Sequence, residues 1–268
     1  MIAKQLDPNI FITVITVVFN GEKYIADTIN SVVQQQGNNI EYIVIDGKSS
    51  DKTLDIISNH NCPYLKCYSE SDSGIYDAMN KGVSRSCGEW IIFMNAGDVF
   101  FDAEVIQNTI QKISMYKPDV VYGDVIHYDP TSGVEFKKSA SPIENVWLDM
   151  PFHHQSVFVK RSLFISKPFD LQYKIAADYN LMLNLYLDGV SFLYNPITVS
   201  KVTVDGVSYS NIRTILEQAK IYFSYYGCTY RIVGYLPKII IAVIRLLLGK
   251  KLSNSIRSMK WLLFHRQN

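Results

Sequence analysis

The feature that most constrains the fold of this chain is a regular alternation of two kinds of segment in its first half. Short runs rich in Val, Ile and other β-branched residues alternate with segments whose apolar residues recur at helical spacing. The predicted strands cover residues 11–18, 40–45, 65–69, 90–94 and 120–122, and the helices between them cover 24–33, 52–59, 75–85 and 105–113. This alternation predicts an α/β fold with a mostly parallel sheet that binds ligands at the carboxyl ends of its strands.

The second half of the chain has a different pattern, which begins with a predicted hairpin around residues 129–133. It continues with predicted strands at 156–160, 192–195 and 199–204 and with predicted helices at 177–187 and 212–226. We expect one domain to cover residues 1–227. We expect a tail with two amphipathic helices, at 236–248 and 253–264, to cover residues 228–268.

Charge is distributed unevenly along the chain. The formal net charge is +1, but nine of the 26 basic residues follow Glu217, beyond which the sequence has no acidic residue. In the first tail helix, Lys238 and Arg245 share one narrow stripe, and long aliphatic residues cover most of the remaining surface. We therefore expect the tail to lie on an anionic membrane surface, with packing against the body or a partner subunit as the alternative. No nucleic-acid partner is expected, because the basic residues are interleaved with aliphatic side chains rather than with a nucleic-acid-binding motif.

Acidic side chains stand just after three of the predicted strands. They are Asp46, Glu70, Asp72 and Asp98. In a parallel sheet these points share one edge, where carboxylates can bind a ribose or a base and hold Mg²⁺ or Mn²⁺ against phosphates. The alternative is that they are ordinary loop and helix-capping residues. No GxxxxGK[ST] or GxGxxG sequence follows any strand, which argues against a P-loop kinase and a dinucleotide-dependent dehydrogenase.

Four segments of the first hundred residues form a recognisable series. They are TVITVVFNG at 13–21, IDGKSSDKT at 45–53, SESDSGIYDAMNKG at 69–82 and GEWIIFMNAGD at 88–98. In their residues, order and spacing these segments closely resemble the motifs of glycosyltransferase family 2. The segments His153-His154-Gln155 and 176–179 are similar to acceptor-side segments of that family, so the resemblance extends over about residues 10–210.

The resemblance implies a GT-A fold, in which a Rossmann-like sheet binds a nucleotide sugar, and transfer of a sugar with inversion at the anomeric carbon. The donor-binding residues that it implies are Phe19, Asn20, Asp46, Asp72 and Asp98. Asp98 matches the last carboxylate of the family's DXD motif, which implies a divalent cation, Mg²⁺ or Mn²⁺, bound between Asp98 and the donor diphosphate. This sequence departs from the motif at its first position, which is Ala96, so metal dependence is less firmly implied.

The resemblance also implies the residues on the acceptor side. Asp178 matches the catalytic base, which in an inverting transfer removes the proton of the acceptor hydroxyl as its oxygen attacks. The alternative for Asp178 is a helix N-cap or first-turn aspartate. His154 is expected to bind the acceptor, with an ordinary structural histidine as the alternative. Lys48, Tyr76 and Asp77 are further candidate pocket residues.

These features together predict an inverting glycosyltransferase of the hexosyltransferase type, bound peripherally at the cytoplasmic face of a bacterial inner membrane. Its expected donor is a nucleoside diphosphate sugar and its expected acceptor a polyprenyl-diphosphate-linked glycan of surface polysaccharide synthesis, extended by one sugar. Two alternatives are a sugar nucleotidyltransferase and a non-catalytic nucleotide-sugar-binding subunit. The first usually has a glycine- and arginine-rich loop after its first strand, where this chain has Asn20-Gly21-Glu22-Lys23. The sequence carries no pattern that indicates the oligomeric state.

Overall fold

A computed structural model describes residues 11–36, 39–129, 132–147, 149–203 and 212–226. The chain divides into two compact units, Met1–Gly206 and Val207–Asn268. The first unit contains the sheet and all the candidate site residues. In the second unit the structure describes one helix, and the predicted tail at 228–268 lies outside the described residues. The predicted boundary at residue 227 stays a prediction.

Strands and helices alternate along the first unit, close to the predicted bounds. The strands are β1 (Ile12–Val18), β2 (Ile40–Asp46), β3 (Leu65–Ser69), β4 (Trp90–Phe93), β5 (Val99–Phe100), β6 (Val120–Tyr128), β7 (Glu135–Lys138), β8 (Val157–Lys160) and β9 (Phe192–Thr203). The helices are α1 (Ile25–Val33), α2 (Thr53–Ser58), α3 (Ile75–Arg85), α4 (Val105–Tyr116), α5 (Arg161–Ser166) and α6 (Ala177–Leu187), with α7 (Ile212–Tyr226) in the second unit. Two short 3₁₀ turns cover Ile143–Trp147 and His154–Ser156.

The strands within the described ranges form one sheet, in the order β3-β2-β1-β4-β8-β6-β9-β5, with β7 paired to β6. The pairs β2–β3, β1–β2 and β1–β4 are parallel, because helical crossovers connect these strands. The strand order reverses between β1 and β4. In an open α/β sheet such a reversal leaves a crevice at the carboxyl ends of the strands, which is where ligands bind.

The parallel pairing predicted from the first half of the chain is confirmed for strands β1 to β4, whereas most pairs formed by the later strands are antiparallel. β8 runs antiparallel to both β4 and β6. β5 pairs antiparallel with β9, and β7 pairs antiparallel with β6. β8 enters the sheet after an extended connection rather than after a helical crossover, so its direction is not constrained as in the first half. The sheet is therefore mixed, as in many α/β proteins that carry antiparallel strands beside a parallel half.

Burial explains why the first strands can be recognised from the sequence. Every residue of β1, β2 and β4 is buried, so these strands are nearly continuous apolar runs. α1 buries Ile25, Thr28, Ile29 and Val32, which recur at the spacing of one helix face. Within the part of the chain that the structure describes, no helix is both long and apolar enough to cross a bilayer.

Four elements differ from the sequence prediction. β6 runs on to Tyr128, well past the predicted end at residue 122. The two strands predicted at 192–195 and 199–204 are one strand, β9. Pro196 made this segment look interrupted, but the pairing with β6 shifts register beside it, and such an irregularity accommodates a residue that lacks a backbone N–H. β5 and α5 are too short to show a periodicity and were not predicted.

Candidate active site

The candidate site lies at the crevice between β1 and β4, where the segments that follow β1, β2 and β4 meet. Asp46 is the last residue of β2 and pairs in register with Val18, the last residue of β1. A Cβ added at Gly21, in the segment after β1, would lie 3.6 Å from the Cβ of Ala96, in the segment after β4. The topology therefore brings three distant parts of the sequence to one edge of the sheet, as the strand pattern predicts.

Phe19, Asp46, Gly47 and Asp72 form a group that we call the strand-end cluster. A Cβ added at Gly47 would lie 2.6 Å from Oδ2 of Asp72 and 3.4 Å from Cδ2 of Phe19, so a side chain there would collide with its neighbours. The ring of Phe19 is 66% exposed. An exposed aromatic ring near a carboxylate has the chemistry that a nucleoside needs, a surface for the base and acceptors for hydroxyl groups.

Asp46 is fully buried, and its two oxygens have different surroundings. Oδ2 accepts hydrogen bonds from the backbone N–H of Ser49 at 3.1 Å and from the hydroxyl of Ser69 at 2.6 Å. Oδ1 is buried and has no hydrogen-bond partner among the described residues. Because buried polar atoms in folded proteins are normally paired, this oxygen has capacity for a donor group of a ligand.

Asn20 ties together the loops that follow β1 and β2. Its backbone adopts a left-handed conformation with φ 50°, and its Oδ1 accepts a hydrogen bond from the backbone N–H of Ser50 at 2.8 Å. Its own N–H donates to the hydroxyl of Ser49 at 2.8 Å. Asn20 thus has a structural role beside the cluster, and its direct contact with a donor stays a prediction. Lys48 in the same loop also has a positive φ of 64°.

Asp72 starts the turn into α3. Its Oδ1 accepts a hydrogen bond from the N–H of Gly74 at 2.9 Å, while its Oδ2 faces Gly47. Asp77, one of the further candidates, is instead occupied within its own helix. It lies 3.2 Å from the ammonium group of Lys81 and accepts a hydrogen bond from the N–H of Ser73, interactions that lower its pKa. The contacts of Asp77 are those of a helix N-terminal carboxylate.

Asp98 lies in the segment after β4 and is only 6% exposed. Its Oδ2 accepts a hydrogen bond from Nε2 of Gln155 at 2.9 Å. Burial raises the pKa of Asp98 to about 6, against the opposing effects of Gln155, His154 and the backbone of Thr203. A buried carboxylate of this kind is stabilised in its charged form by a cation or by donors of a ligand.

The described residues contain no group of three or more His, Cys, Asp or Glu side chains that could hold a metal ion. Asp98 supplies one carboxylate, and Ala96 supplies none where the DXD motif would have another. Mg²⁺ requires about six oxygen ligands, so Asp98 fits a cation only if the donor diphosphate provides most of the coordination. The protein residues are compatible with a cation shared with the donor and not with a preformed metal site.

Asp178 lies in the first turn of α6 and has three polar neighbours among the described residues, one of which, the hydroxyl of Tyr76, also lies 2.7 Å from the carbonyl oxygen of Ile175. Its Oδ1 lies 3.0 Å from the hydroxyl of Tyr76 and accepts a hydrogen bond from the N–H of Tyr179 at 2.8 Å. Its Oδ2 lies 3.3 Å from Nδ1 of His154. The N-cap position of α6 is Ala176, so Asp178 is a first-turn residue and not the N-cap. The contacts with Tyr76 and His154 go beyond what a first-turn aspartate requires.

The 3₁₀ turn His154–Ser156 connects the two carboxylates. His154 contacts Asp178 through Nδ1, and its Nε2 lies 2.8 Å from Nδ2 of Asn95. Gln155, the next residue, holds Asp98. We call Asn95, Asp98, His154, Gln155 and Asp178 the two-carboxylate cluster. Both ring nitrogens of His154 face protein groups, and its contact with an acceptor stays a prediction.

Sequence reasoning did not single out Asn95 and Gln155 as site residues. Both stand inside segments that carry the family resemblance, so the sequence places them near the site without indicating their partners. Their side-chain oxygens, Oδ1 of Asn95 and Oε1 of Gln155, are buried and unpaired among the described residues. The hydroxyl of Tyr76, a further candidate, lies 3.0 Å from Asp178, and its role in the pocket stays a prediction.

Comparison with curated proteins gives related glycosyltransferases. The chain is 31% identical over 165 residues to a protein of Mycobacterium tuberculosis (strain ATCC 25177 / H37Ra) named PGL/p-HBAD biosynthesis glycosyltransferase, covering 59% of this chain and 62% of that protein. It is 29% identical over 195 residues to an uncharacterized glycosyltransferase of M. tuberculosis (strain ATCC 25618 / H37Rv), covering 70% and 71% of the two chains. The chain thus spans less than two thirds of the length of the first of these relatives.

Two solved structures have the same fold. Staphylococcus aureus TarS 1–349 in complex with UDP superposes with a TM-score of 0.65 at 20% identity, over 80% of this chain and 65% of that one. The mannosyltransferase PcManGT from Pyrobaculum calidifontis, in complex with GDP-Man and Mn²⁺, superposes with a TM-score of 0.66 at 16% identity, over 97% and 82% of the two chains. At this level of identity the structures establish the GT-A fold.

The comparison with protein families covers most segments of the site but ends before Asp178. The model of the family described as "Glycosyl transferase family 2" matches residues 13–172, more than half of the 268 residues. The match begins in β1 and includes the strand-end cluster, Asp98, His154 and Gln155. With the strand-end and two-carboxylate clusters at the switch point of a GT-A sheet, this chain belongs to glycosyl transferase family 2.

Proposed function

We propose that this protein is an inverting glycosyltransferase that moves a single hexosyl group from a nucleoside diphosphate sugar to a hydroxyl group of a lipid-linked glycan. The observation that carries the proposal is the two-carboxylate cluster. Asp98 and Asp178 come from different parts of the chain, yet adjacent residues of one short turn bind them. Inverting transfer needs two such groups, one on the leaving-group side and one that accepts the proton of the acceptor.

The strand-end cluster supports a nucleoside site. Phe19 offers an exposed ring, and Asp46 has a buried oxygen that can accept a hydrogen bond from a base or a ribose. Among the structural neighbours, TarS is described in complex with UDP and with UDP-GlcNAc, and the mannosyltransferase with GDP-Man. In this chain we assign the nucleoside to Phe19, Asp46 and Asp72, with the diphosphate extending toward Asp98.

Asp98 would hold a divalent cation together with the diphosphate of the donor. The neighbour described with GDP-Man is also described with Mn²⁺. Such a cation would neutralise the negative charge that collects on the leaving nucleoside diphosphate. Gln155 binds Oδ2 of Asp98 and thereby fixes the direction of the carboxylate.

The transfer itself is a displacement at the anomeric carbon, with Asp178 as the base. The acceptor oxygen forms a bond to this carbon, and the bond to the diphosphate oxygen breaks with its electron pair on the leaving group. The hydroxyl proton passes to the carboxylate of Asp178. Attack from the side opposite the leaving group inverts the configuration, and base assistance of this kind contributes about 10²- to 10⁴-fold to the rate.

Two alternatives were left open by the sequence. Membership of glycosyl transferase family 2 favours sugar transfer over nucleotidyl transfer. A non-catalytic subunit would need only the strand-end cluster, whereas this chain also has Asp178 in contact with His154 and Tyr76. A side chain with these long-range partners favours an enzyme.

The acceptor and the location are further parts of the proposal. We assign a polyprenyl-diphosphate-linked glycan as acceptor and a peripheral position on the cytoplasmic face of the inner membrane, based on the basic amphipathic sequence of residues 228–268. Each basic residue near an anionic membrane surface contributes about 1 kcal/mol of binding. A chain ending at Leu236 should remain folded and lose sedimentation with anionic vesicles. Unfolding of that chain would instead indicate a tail that packs against the body.

The function is tested by binding first and transfer second. A thermal-shift screen with UDP-, GDP- and dTDP-sugars should find one class that raises Tm, since ligand at 100 times its Kd stabilises by about 2.7 kcal/mol. That donor should then release nucleoside diphosphate only with a lipid-linked acceptor, which gains one sugar. Binding without acceptor-dependent release would support the non-catalytic subunit. Long product ladders, or pyrophosphate release from a nucleoside triphosphate, would contradict the proposal.

A further inference from the structure

The 3₁₀ turn His154–Ser156 does more than line the candidate site, because its first residue joins two parts of it. His154 lies between Asn95, in the segment after β4, and Asp178, in the first turn of α6. We propose that His154 is a positioning residue that fixes the carboxylate of Asp178 for proton removal and ties it to the Asn95–Asp98 segment. This inference rests on the function proposed above and assigns His154 a role different from acceptor binding.

The proton on the ring of His154 follows from its two neighbours. A carboxylate only accepts hydrogen bonds, so the nitrogen 3.3 Å from Oδ2 of Asp178, Nδ1, must carry a hydrogen. The other nitrogen, Nε2, lies 2.8 Å from the amide nitrogen of Asn95, which is a donor, so Nε2 accepts. His154 is thereby assigned as the neutral Nδ1–H tautomer, with Nδ1 turned toward the carboxylate of Asp178 and Nε2 accepting a hydrogen bond from Asn95.

The remaining contacts of Asp178 show what the contact with His154 fixes. Tyr76 and the N–H of Tyr179 both engage Oδ1, so they do not by themselves set where Oδ2 points. His154 engages Oδ2, and the two sets together determine the rotation of the carboxylate. A base acts only within hydrogen-bond reach of the acceptor hydroxyl, and a displacement of about 1 Å can lower a rate by about 100-fold.

The same histidine also connects the two sides of the reaction. Asn95 precedes Asp98 in the segment on the leaving-group side, and Gln155, next to His154, binds Asp98. Adjacent residues of one turn therefore contact both carboxylates: Gln155 donates a hydrogen bond to Asp98, and Nδ1 of His154 lies 3.3 Å from Oδ2 of Asp178. The relative placement of base and leaving group is set by this turn and not by α6 or the loop after β4 individually.

Three substitutions at His154 separate positioning from acceptor binding. His154→Asn places an amide N–H near the position of Nδ1, His154→Gln places one near Nε2, and His154→Ala removes both. We expect kcat to fall about 10- to 100-fold in the Ala and Gln variants and within about threefold in the Asn variant. KM for the donor should stay unchanged in all three. His60→Asn is the matched control, because His60 is bonded to Asn30 on the surface, and its kcat should not change.

Two kinetic results would overturn the proposal. One is a rise in acceptor KM with normal kcat in the Ala variant, which would make His154 an acceptor ligand. The other is equal loss of kcat in the Asn and Gln variants, which would remove the requirement for a donor at Nδ1.

A second measurement does not depend on activity and therefore separates this inference from the proposed function. The ¹⁵N NMR shifts of His154 report which ring nitrogen carries a proton. We expect a protonated Nδ1 and an unprotonated Nε2 in the wild-type protein. An unprotonated Nδ1 in the wild-type protein would overturn the contact even in an active enzyme. A protonated Nδ1 in a protein without transferase activity would retain the contact and refute only the proposed function.

Discussion

Replacement of Asp98 by Asn should stabilise the fold. In the folded protein burial raises the pKa of Asp98 to about 6, against a reference value of 3.8. Since one pKa unit corresponds to about 1.4 kcal/mol, the buried charge lowers the stability at neutral pH by about 3 kcal/mol. Asn is close in size and carries no charge. Its amide can donate to Oε1 of Gln155, which is buried and unpaired among the described residues, if the Gln155 amide rotates.

The stabilisation should depend on pH in a defined direction. Below about pH 4 the carboxyl group of Asp98 is protonated in both states, and the two proteins should be similarly stable. Between about pH 4 and 6 the folded state keeps a proton that the unfolded state has lost, so wild-type stability falls as pH rises. The Asp98→Asn variant lacks this titration. The difference in free energy of unfolding between the variant and the wild-type protein should therefore increase from about pH 4 to 6 and stay constant at higher pH.

Urea unfolding from pH 4 to 8, in chelator and without nucleotide, measures this difference. The exposed Asp27→Asn variant is the control for loss of one acidic residue, and its effect should be small at every pH. At pH 8 we expect Asp98→Asn to raise the free energy of unfolding by about 3 kcal/mol. A variant that is less stable than wild type at pH 8, or a difference independent of pH, would refute the reasoning.

Two further predictions concern the backbone. Gly88→Ala should destabilise by about 3 kcal/mol, because its Cβ would lie 2.6 Å from the backbone nitrogen of Thr13. Gly82→Ala should cost less, because its Cβ would meet a side-chain methyl, Cγ2 of Ile15 at 2.6 Å, and no backbone atom at that distance. Urea unfolding of the two variants checks the order. Lys48→Gly should raise stability by about 1 kcal/mol by relieving a positive φ, and unchanged or lower stability would contradict this.

The sheet and the position of the site were predictable because their signals are local. β1, β2 and β4 are buried on both faces and read as apolar runs, and the turn residues that follow them end up at one edge. The predicted bounds of α3 and α6 agree with the structure. The antiparallel entry of β8 was not predictable, because nothing within that short strand specifies its neighbours.

The contacts of the site residues depend on long-range packing and were beyond sequence reasoning. Asp178 and His154 were assigned separate roles, and only the fold shows that they touch each other. The pairing of Gln155 with Asp98 likewise joins residues from different segments. Asn20 was predicted only as a residue that binds the nucleotide-sugar donor. The structure adds the hydrogen bond that its Oδ1 accepts from the N–H of Ser50. A sequence motif therefore located these residues without indicating which partner each would have.

The central claim, that Asp178 is the base of a glycosyl transfer, is tested most directly by Asp178→Asn. Asp188→Asn is the matched control, since Asp188 lies exposed at the other end of α6. Turnover, donor affinity and Tm are measured on the same preparations. We predict a turnover loss of about 10²- to 10⁴-fold in Asp178→Asn with donor affinity and Tm nearly unchanged, and normal turnover in Asp188→Asn. Near-normal turnover of Asp178→Asn per folded molecule would contradict the account.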